Sequence, residues 1–85
     1  MGYYVYILSS EKDGNFYVGQ TSNIEKRLIA HNTGRVRSTR HRKPLKLVHF
    51  EEFRSRGEAM KRERWLKSLE SAGFKAALRS KKLSW

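Results

Sequence analysis

Two short apolar segments of this 85-residue chain carry phenols at matching positions: Tyr4-Val5-Tyr6 and Tyr17-Val18-Gly19. Ten residues separate Tyr6 from Tyr17. A phenol can donate a proton to a hydrogen bond, accept one, or act as a base if its pKa of ~10 is brought down. A hairpin built from the two segments would bring Tyr6 and Tyr17 together on one sheet face, because alternate residues of a strand share a side. Gly19 would lie beside them. Glycine weakens a strand, and it often marks close approach of a ligand or another backbone. For either tyrosine alone, cross-strand packing is the favoured explanation.

Three further residues break the packing pattern of their own segments. Ile24, Arg27, Leu28 and His31 recur at i, i+3, i+4 and i+7, one face of a helix. That spacing sets a fixed cation and a titratable imidazole side by side at the border of an apolar stripe. Downstream, Ala59, Glu63, Leu66 and Glu70 share a stripe, with Met60 beside it. Glu63 stands where an apolar residue is expected. It is either a rim carboxylate paired with an arginine such as Arg27, or a metal ligand or general base. Magnesium suits the second case, since it takes oxygen ligands and needs only one or two carboxylates plus a phosphate.

Charge narrows the partners. The net charge is +11, and residues 26–50 hold eight Lys or Arg and all three histidines without one Asp or Glu. The densest part comprises Arg35, Arg37, Arg40, His41, Arg42 and Lys43. Nucleic acid is the first polyanion such a surface would meet and an anionic membrane surface the second. A solvated basic loop is the plain alternative. The absence of cysteine rules out disulfides and thiolate metal sites and agrees with a reducing, cytoplasmic setting. The apolar run at residues 3–8 is too short for a signal peptide and lacks a basic flank. No stretch approaches the length of a membrane span.

The elements that must position these groups follow from local signals. A strand is expected over residues 3–9, a turn at Asp13-Gly14, and a second strand over residues 15–19. Ser22-Asn23-Ile24-Glu25 fits a capping box opening a helix to Asn32, with Gly34 as its stop. Residues 35–43 form an exposed connection that ends at Pro44, and a third strand spans residues 45–53. Ser55-Arg56-Gly57-Glu58 is a second capping box, opening a helix to Leu69. A short helix over residues 71–78 precedes a basic tail ending at Trp85. The class is α+β: one domain over residues 1–85, with a small three-stranded antiparallel sheet flanked by helices in the order β-β-α-β-α-α. Trp65 is expected in the core, and Trp85 in the core or at an interface.

The ordered set of residues resembles the GIY-YIG nuclease superfamily, most closely its small stand-alone bacterial members of the URI-domain-like branch. Tyr4-Val5-Tyr6 matches the first motif and Tyr17-Val18-Gly19 the second. Arg27 matches the helix arginine, His31 the histidine that some branches carry one turn later, and Glu63 the metal-binding glutamate. The likeness runs over residues 3–69. Tyr4 replaces the first motif's glycine, Gln20 stands where some branches place lysine, and no asparagine follows Glu63.

This resemblance implies an endonuclease that hydrolyses phosphodiester bonds in DNA, in repair or recombination. Its catalytic residues would be Tyr6, Tyr17, Arg27, His31 and Glu63. One Mg2+ or Mn2+ would sit on Glu63 as a Lewis acid. Arg27 would offset charge in the transition state. Tyr17 or Tyr6 would take the proton of the attacking water, which requires a pKa fall of roughly three pH units, about 4 kcal/mol. His31 would orient a tyrosine or water, or shuttle the proton. Gly19, Gln20, Arg35, Arg37, Arg40, Arg42 and Lys43 would contact the nucleic acid. Branched, damaged, single-stranded and plain DNA remain open as substrates, as does RNA. Two other readings stand beside the nuclease: a binding module of the same fold that cuts poorly or not at all, and a subunit whose tyrosine face recruits a partner protein. The small size and the lack of an appended reader domain suit these two.

Overall fold

The computed structural model describes residues 2–83, with side chains through residue 80. Its elements are β1 (Tyr3–Ser10), β2 (Phe16–Thr21), α1 (Ile24–Asn32), β3 (Leu45–Phe53), α2 (Arg56–Leu66) and α3 (Ala72–Leu83), with single 3₁₀ turns at Arg40–Arg42 and Leu69–Ser71. The three strands form one antiparallel sheet in the order β2-β1-β3. This is the α+β arrangement expected from the sequence. Trp85 and the end of the basic tail lie outside the described residues.

Alternation along β1 divides the molecule into layers. Val5 and Ile7 face one way and pack with Val18 of β2 and Ala59 and Leu66 of α2. Phe74 and Leu78 of α3 close this side, and Trp65 packs against it half-buried rather than at its centre. Tyr6 and Leu8 face the other way, against Leu45, Tyr17, Leu47 and Leu28 of α1. The sheet therefore separates α1 from α2 and α3, and each side buries an apolar face. Among the described residues no helix is long and apolar enough to cross a membrane.

The β1–β2 connection is built by side chains reaching backbone. Gly14 adopts φ +73°, which L side chains rarely take. Asp13 Oδ1 accepts from the Asn15 amide at 2.9 Å. Ser10 Oγ accepts from the Lys12 and Asp13 amides and donates to Arg42 O at 2.6 Å. That last bond holds the residue 35–43 connection against the hairpin. The connection then enters β3 through a cis Lys43–Pro44 peptide.

Three local expectations need correction. The cap of α1 is Asn23, not Ser22: Asn23 is extended (φ −148°, ψ 101°) and its Oδ1 accepts from Lys26 N at 3.0 Å. Thr21 Oγ1 accepts from the Asn23 amide at 3.1 Å, which moves the helix start one residue on. By contrast Ser55 does cap α2, its Oγ accepting from Glu58 N. α2 stops at Leu66 rather than Leu69. Ser68 Oγ donates to Trp65 O, and Ser71 Oγ donates to Leu66 O and Ser68 O. These hydroxyls satisfy the last carbonyls in place of further helix. Glu70 consequently leaves the α2 stripe for an exposed 3₁₀ turn, and α3 runs longer than expected.

Candidate active site

In the β1–β2 ladder Tyr6 stands opposite Gly19, and Leu8 opposite Tyr17. The two phenol rings share the α1 side of the sheet, with centroids 6.4 Å apart. The space left by Gly19 belongs to one of them. A Cβ on residue 19 would lie 2.5 Å from Tyr6 Oη, 2.6 Å from Tyr6 Cζ and 3.1 Å from Tyr17 Cε2. Close approach at this glycine is thus by a tyrosine of the same chain, rather than by a ligand.

Helix α1 delivers Arg27 and His31 onto that pair. Arg27 Nε donates to Tyr6 Oη at 3.3 Å, and His31 Nε2 lies 2.9 Å from the same oxygen. The imidazole stands edge-on to the Tyr17 ring with centroids 5.0 Å apart. Its Nδ1 lies 2.7 Å from Thr39 Oγ1. His31 and Thr39 are both 0 % exposed, and Tyr6 is 2 % exposed. The Arg27–His31 neighbourhood is therefore interior at the histidine end. Burial, helped by the Arg27 charge, pulls the His31 pKa down to about 4, so the ring is neutral near pH 7. Burial also raises the Tyr6 pKa; the Arg27 hydrogen bond opposes this, and the charges of Tyr17 and Glu63 add to it. Tyr17 is only partly buried. Thr39 escaped the sequence reading. The one available hint was an uncharged residue inside a run of cations.

Glu63 reaches the same region from the other side of edge strand β2. Tyr17 and Gly19 face α1, whereas Val18 and Gln20 face α2. Gln20 Nε2 donates to Glu63 Oε1 at 2.9 Å, and Lys67 Nζ lies 3.1 Å from Glu63 Oε2. The expected Arg27–Glu63 pairing is absent, because Arg27 is spent on Tyr6. The Glu63 side chain is 18 % exposed, and its charge is close enough to act on Tyr6. Among the described residues no three His, Asp or Glu side chains cluster as a metal cage. A single reachable carboxylate suits a magnesium-type ion that keeps waters and takes its other oxygens from a phosphate.

The basic connection divides into two kinds of cation. Arg42 is a clip: Nε pairs with Asp13 Oδ2 at 2.9 Å, and Nη2 donates to Asn15 O at 3.0 Å. The Asn15 amide and then Arg42 hold the Asp13 carboxyl below its ordinary pKa. Arg35, Arg37, Arg40 and Lys43 are exposed, and none has a carboxylate partner among the described residues.

Residues 2–76 match the family model of the GIY-YIG catalytic domain. A UPF0213 protein of Clostridium perfringens is 51 % identical over 67 residues, spanning 78 % of this chain and 71 % of that protein. One from Streptococcus agalactiae is 40 % identical over 83 residues, spanning 96 % and 84 %. The solution NMR structure of a UPF0213 protein from Bacillus halodurans superposes with a TM-score of 0.56 at 36 % identity, covering 92 % of this chain and 85 % of that one.

Proposed function

The chain belongs to the GIY-YIG catalytic-domain family, and from that premise we propose that it is a divalent-metal-dependent endonuclease hydrolysing phosphodiester bonds in DNA. The observation that carries this reading is the convergence of Tyr6, Tyr17, Arg27 and His31 at one edge of the sheet, with Glu63 across β2.

Each group has a task its surroundings favour. Tyr17 is the better base, being partly open while the Tyr6 oxygen is engaged by Arg27 and His31. It would take the proton of the attacking water. Arg27 holds a positive charge beside the phenols and would offset the charge that builds on the phosphate. His31 stays neutral and orients Tyr6. Gln20 holds the Glu63 carboxylate in position. Mg2+ or Mn2+ held on Glu63 would supply Lewis-acid polarisation of the phosphate. Arg35, Arg37, Arg40 and Lys43 would hold the backbone through phosphate contacts, with little sequence preference.

A second reading, a binding module that cuts weakly, draws on one observation. Both Glu63 oxygens already face donors, Gln20 on one and Lys67 on the other. Incubation of supercoiled plasmid and of flapped DNA with Mg2+ or Mn2+ separates the two. Wild type should nick, and Glu63→Ala and Tyr17→Phe should each lose about 10²-fold or more. Equal nicking by all three proteins would sink the enzyme reading. Tight, salt-sensitive binding without cleavage would favour the module.

A further inference from the structure

We propose that Tyr4 and Phe50 form a stacking platform that holds one unpaired base of a bound nucleic acid, next to the candidate site.

Helix α1 covers the sheet unevenly. Near its end, Asn32 Nδ2 donates to Leu45 O at 2.9 Å and Asn32 Oδ1 accepts from Leu45 N at 2.7 Å. At its start a groove of about 430 Å³ stays open, lined by Tyr4, Ser22, Asn23, Ile24, Glu25 and Phe50. Phe50 stands opposite Tyr6 in the β1–β3 ladder, so both side chains leave the sheet on one face. Yet Tyr6 is 2 % exposed and Phe50 is 53 % exposed. Half-buried Tyr4 lies diagonal to Phe50, with ring centroids 6.3 Å apart and planes tilted by 59°. A lone exposed apolar side chain is ordinary. Here two aromatic rings border one groove, and one of them is directly across from the phenol that Arg27 and His31 engage.

Charge decides what fits the groove. A net charge of +11 and exposed arginines suit a polyanion, whose identity as nucleic acid rests on the nuclease reading. The groove itself has no cationic lining. Glu25 borders it, and exposed Glu52 stands opposite Tyr4 on the same face. Carboxylates repel a phosphate, so the part of the polyanion suited to this place is a flat, neutral base, which stacks on aromatic rings. Register sets the path. The basic connection enters β3 where Leu45 pairs with Ser10, the groove lies at the Tyr4–Glu52 end, and Tyr6 falls between. A strand laid from the connection to the groove passes the candidate site. A paired base hides its faces in its own stack, so the occupant is a base that has left the duplex.

Fluorescence anisotropy with a short labelled single-stranded DNA in EDTA reads binding without cleavage. Phe50→Leu keeps an apolar side chain but loses the ring. It should weaken binding about tenfold, and Phe50→Trp should restore it. The slope of log K against log salt should not change in Phe50→Leu, because no phosphate contact is lost. Affinity for the fully paired duplex should also stay at the wild-type value. With 5-iodouracil in the single strand, irradiation of the wild type should crosslink Phe50 or Tyr4. An unchanged single-strand affinity in Phe50→Leu overturns the proposal, as does an equal loss for the duplex or a crosslink confined to residues outside the groove. A wild-type dimer that dissociates in Phe50→Leu assigns the groove to a second copy and overturns it too. Ring-dependent binding by a wild type that does not nick plasmid with Mg2+ upholds the platform and rejects the nuclease reading. Nicking with ring-independent binding does the reverse.

Discussion

Gly19 faces Tyr6 across the β1–β2 ladder so closely that any side chain at residue 19 would occupy the phenol's place. The phenol cannot yield cheaply, because it is buried and anchored by Arg27 and His31. Gly19→Ala should cost about 1–3 kcal/mol, the usual penalty of overpacking. It should also disturb Tyr6 resonances before other aromatics. Gly57, exposed in the first turn of α2 with nothing near its Cβ position, is the control. Gly57→Ala should stabilise by ~0.5 kcal/mol. Urea denaturation checks both, and equal midpoints for the two variants would refute the packing argument.

His31 predicts a stability that depends on pH. Its folded pKa, about 4, lies below its ordinary value of 6.5. Between those values the unfolded chain binds a proton that the folded chain refuses. The stabilisation is thus complete above pH 6.5 and declines as pH falls toward 4. Linkage puts the loss between pH 7 and pH 5 at about 2 kcal/mol. The Asp13 carboxyl, held below its ordinary pKa, titrates below this window. His31→Gln should remove most of the slope in urea melts at the two pH values; the same slope in both proteins would count against a buried neutral ring.

On the proposed reading, Lys67 would compete with a metal ion for Glu63. Its ammonium sits 3.1 Å from Oε2 but is 56 % exposed, so the contact is weak and easily released. Exposed pairs contribute about 0.2–1 kcal/mol. Lys67→Met should therefore tighten Mn2+ binding by at most about fivefold, measured by water-proton relaxation. Glu63→Gln should abolish that binding in both backgrounds. An unchanged Mn2+ affinity in Lys67→Met would show that the lysine does not compete.

Arg42 and its neighbours should separate in behaviour despite their shared charge. Arg37→Ala and Arg40→Ala should each flatten the slope of log K against log salt by about 0.7–0.9 for a DNA oligonucleotide, with thermal stability unchanged. Arg42→Ala should instead lower stability by about 1 kcal/mol through loss of the clip to Asp13 and Asn15, with a smaller effect on the slope. If all three variants act alike, the division of the loop fails.

Much of the fold was legible because it depends on local pattern. The aromatic and β-branched run at residues 3–9 and the Asp13-Gly14 turn marked the hairpin, Ser55 announced α2, and the stripe of Ile24, Arg27, Leu28 and His31 foretold the face of α1. The misses share a physical cause, since each depends on a partner distant in sequence or on a competing side-chain bond. Thr21 settles whether Ser22 or Asn23 caps α1. Serine hydroxyls at residues 68 and 71 end α2 where its stripe continues on paper. Arg27 and Glu63 look like a natural pair until the sheet sets them on opposite sides of β2. Arg42 differs from Arg40 through Asp13 and the Asn15 carbonyl, 29 and 27 residues away. The groups of the candidate site were readable by type, but their protonation and bonding were not, because burial decides both.

β1 carries Tyr6 toward the candidate site and Val5 and Ile7 into the main core, and it is paired on both edges. One strand is therefore both a wall of the candidate site and the keel of the fold. Its amides should exchange with solvent only when the whole domain opens. On the nuclease reading, room for a substrate would come from long side chains at the margin, Lys67 and the exposed arginines, while the buried Tyr6 stays in place. A variant selected for a looser or altered pocket through β1 would be drawing on the stability of the entire protein.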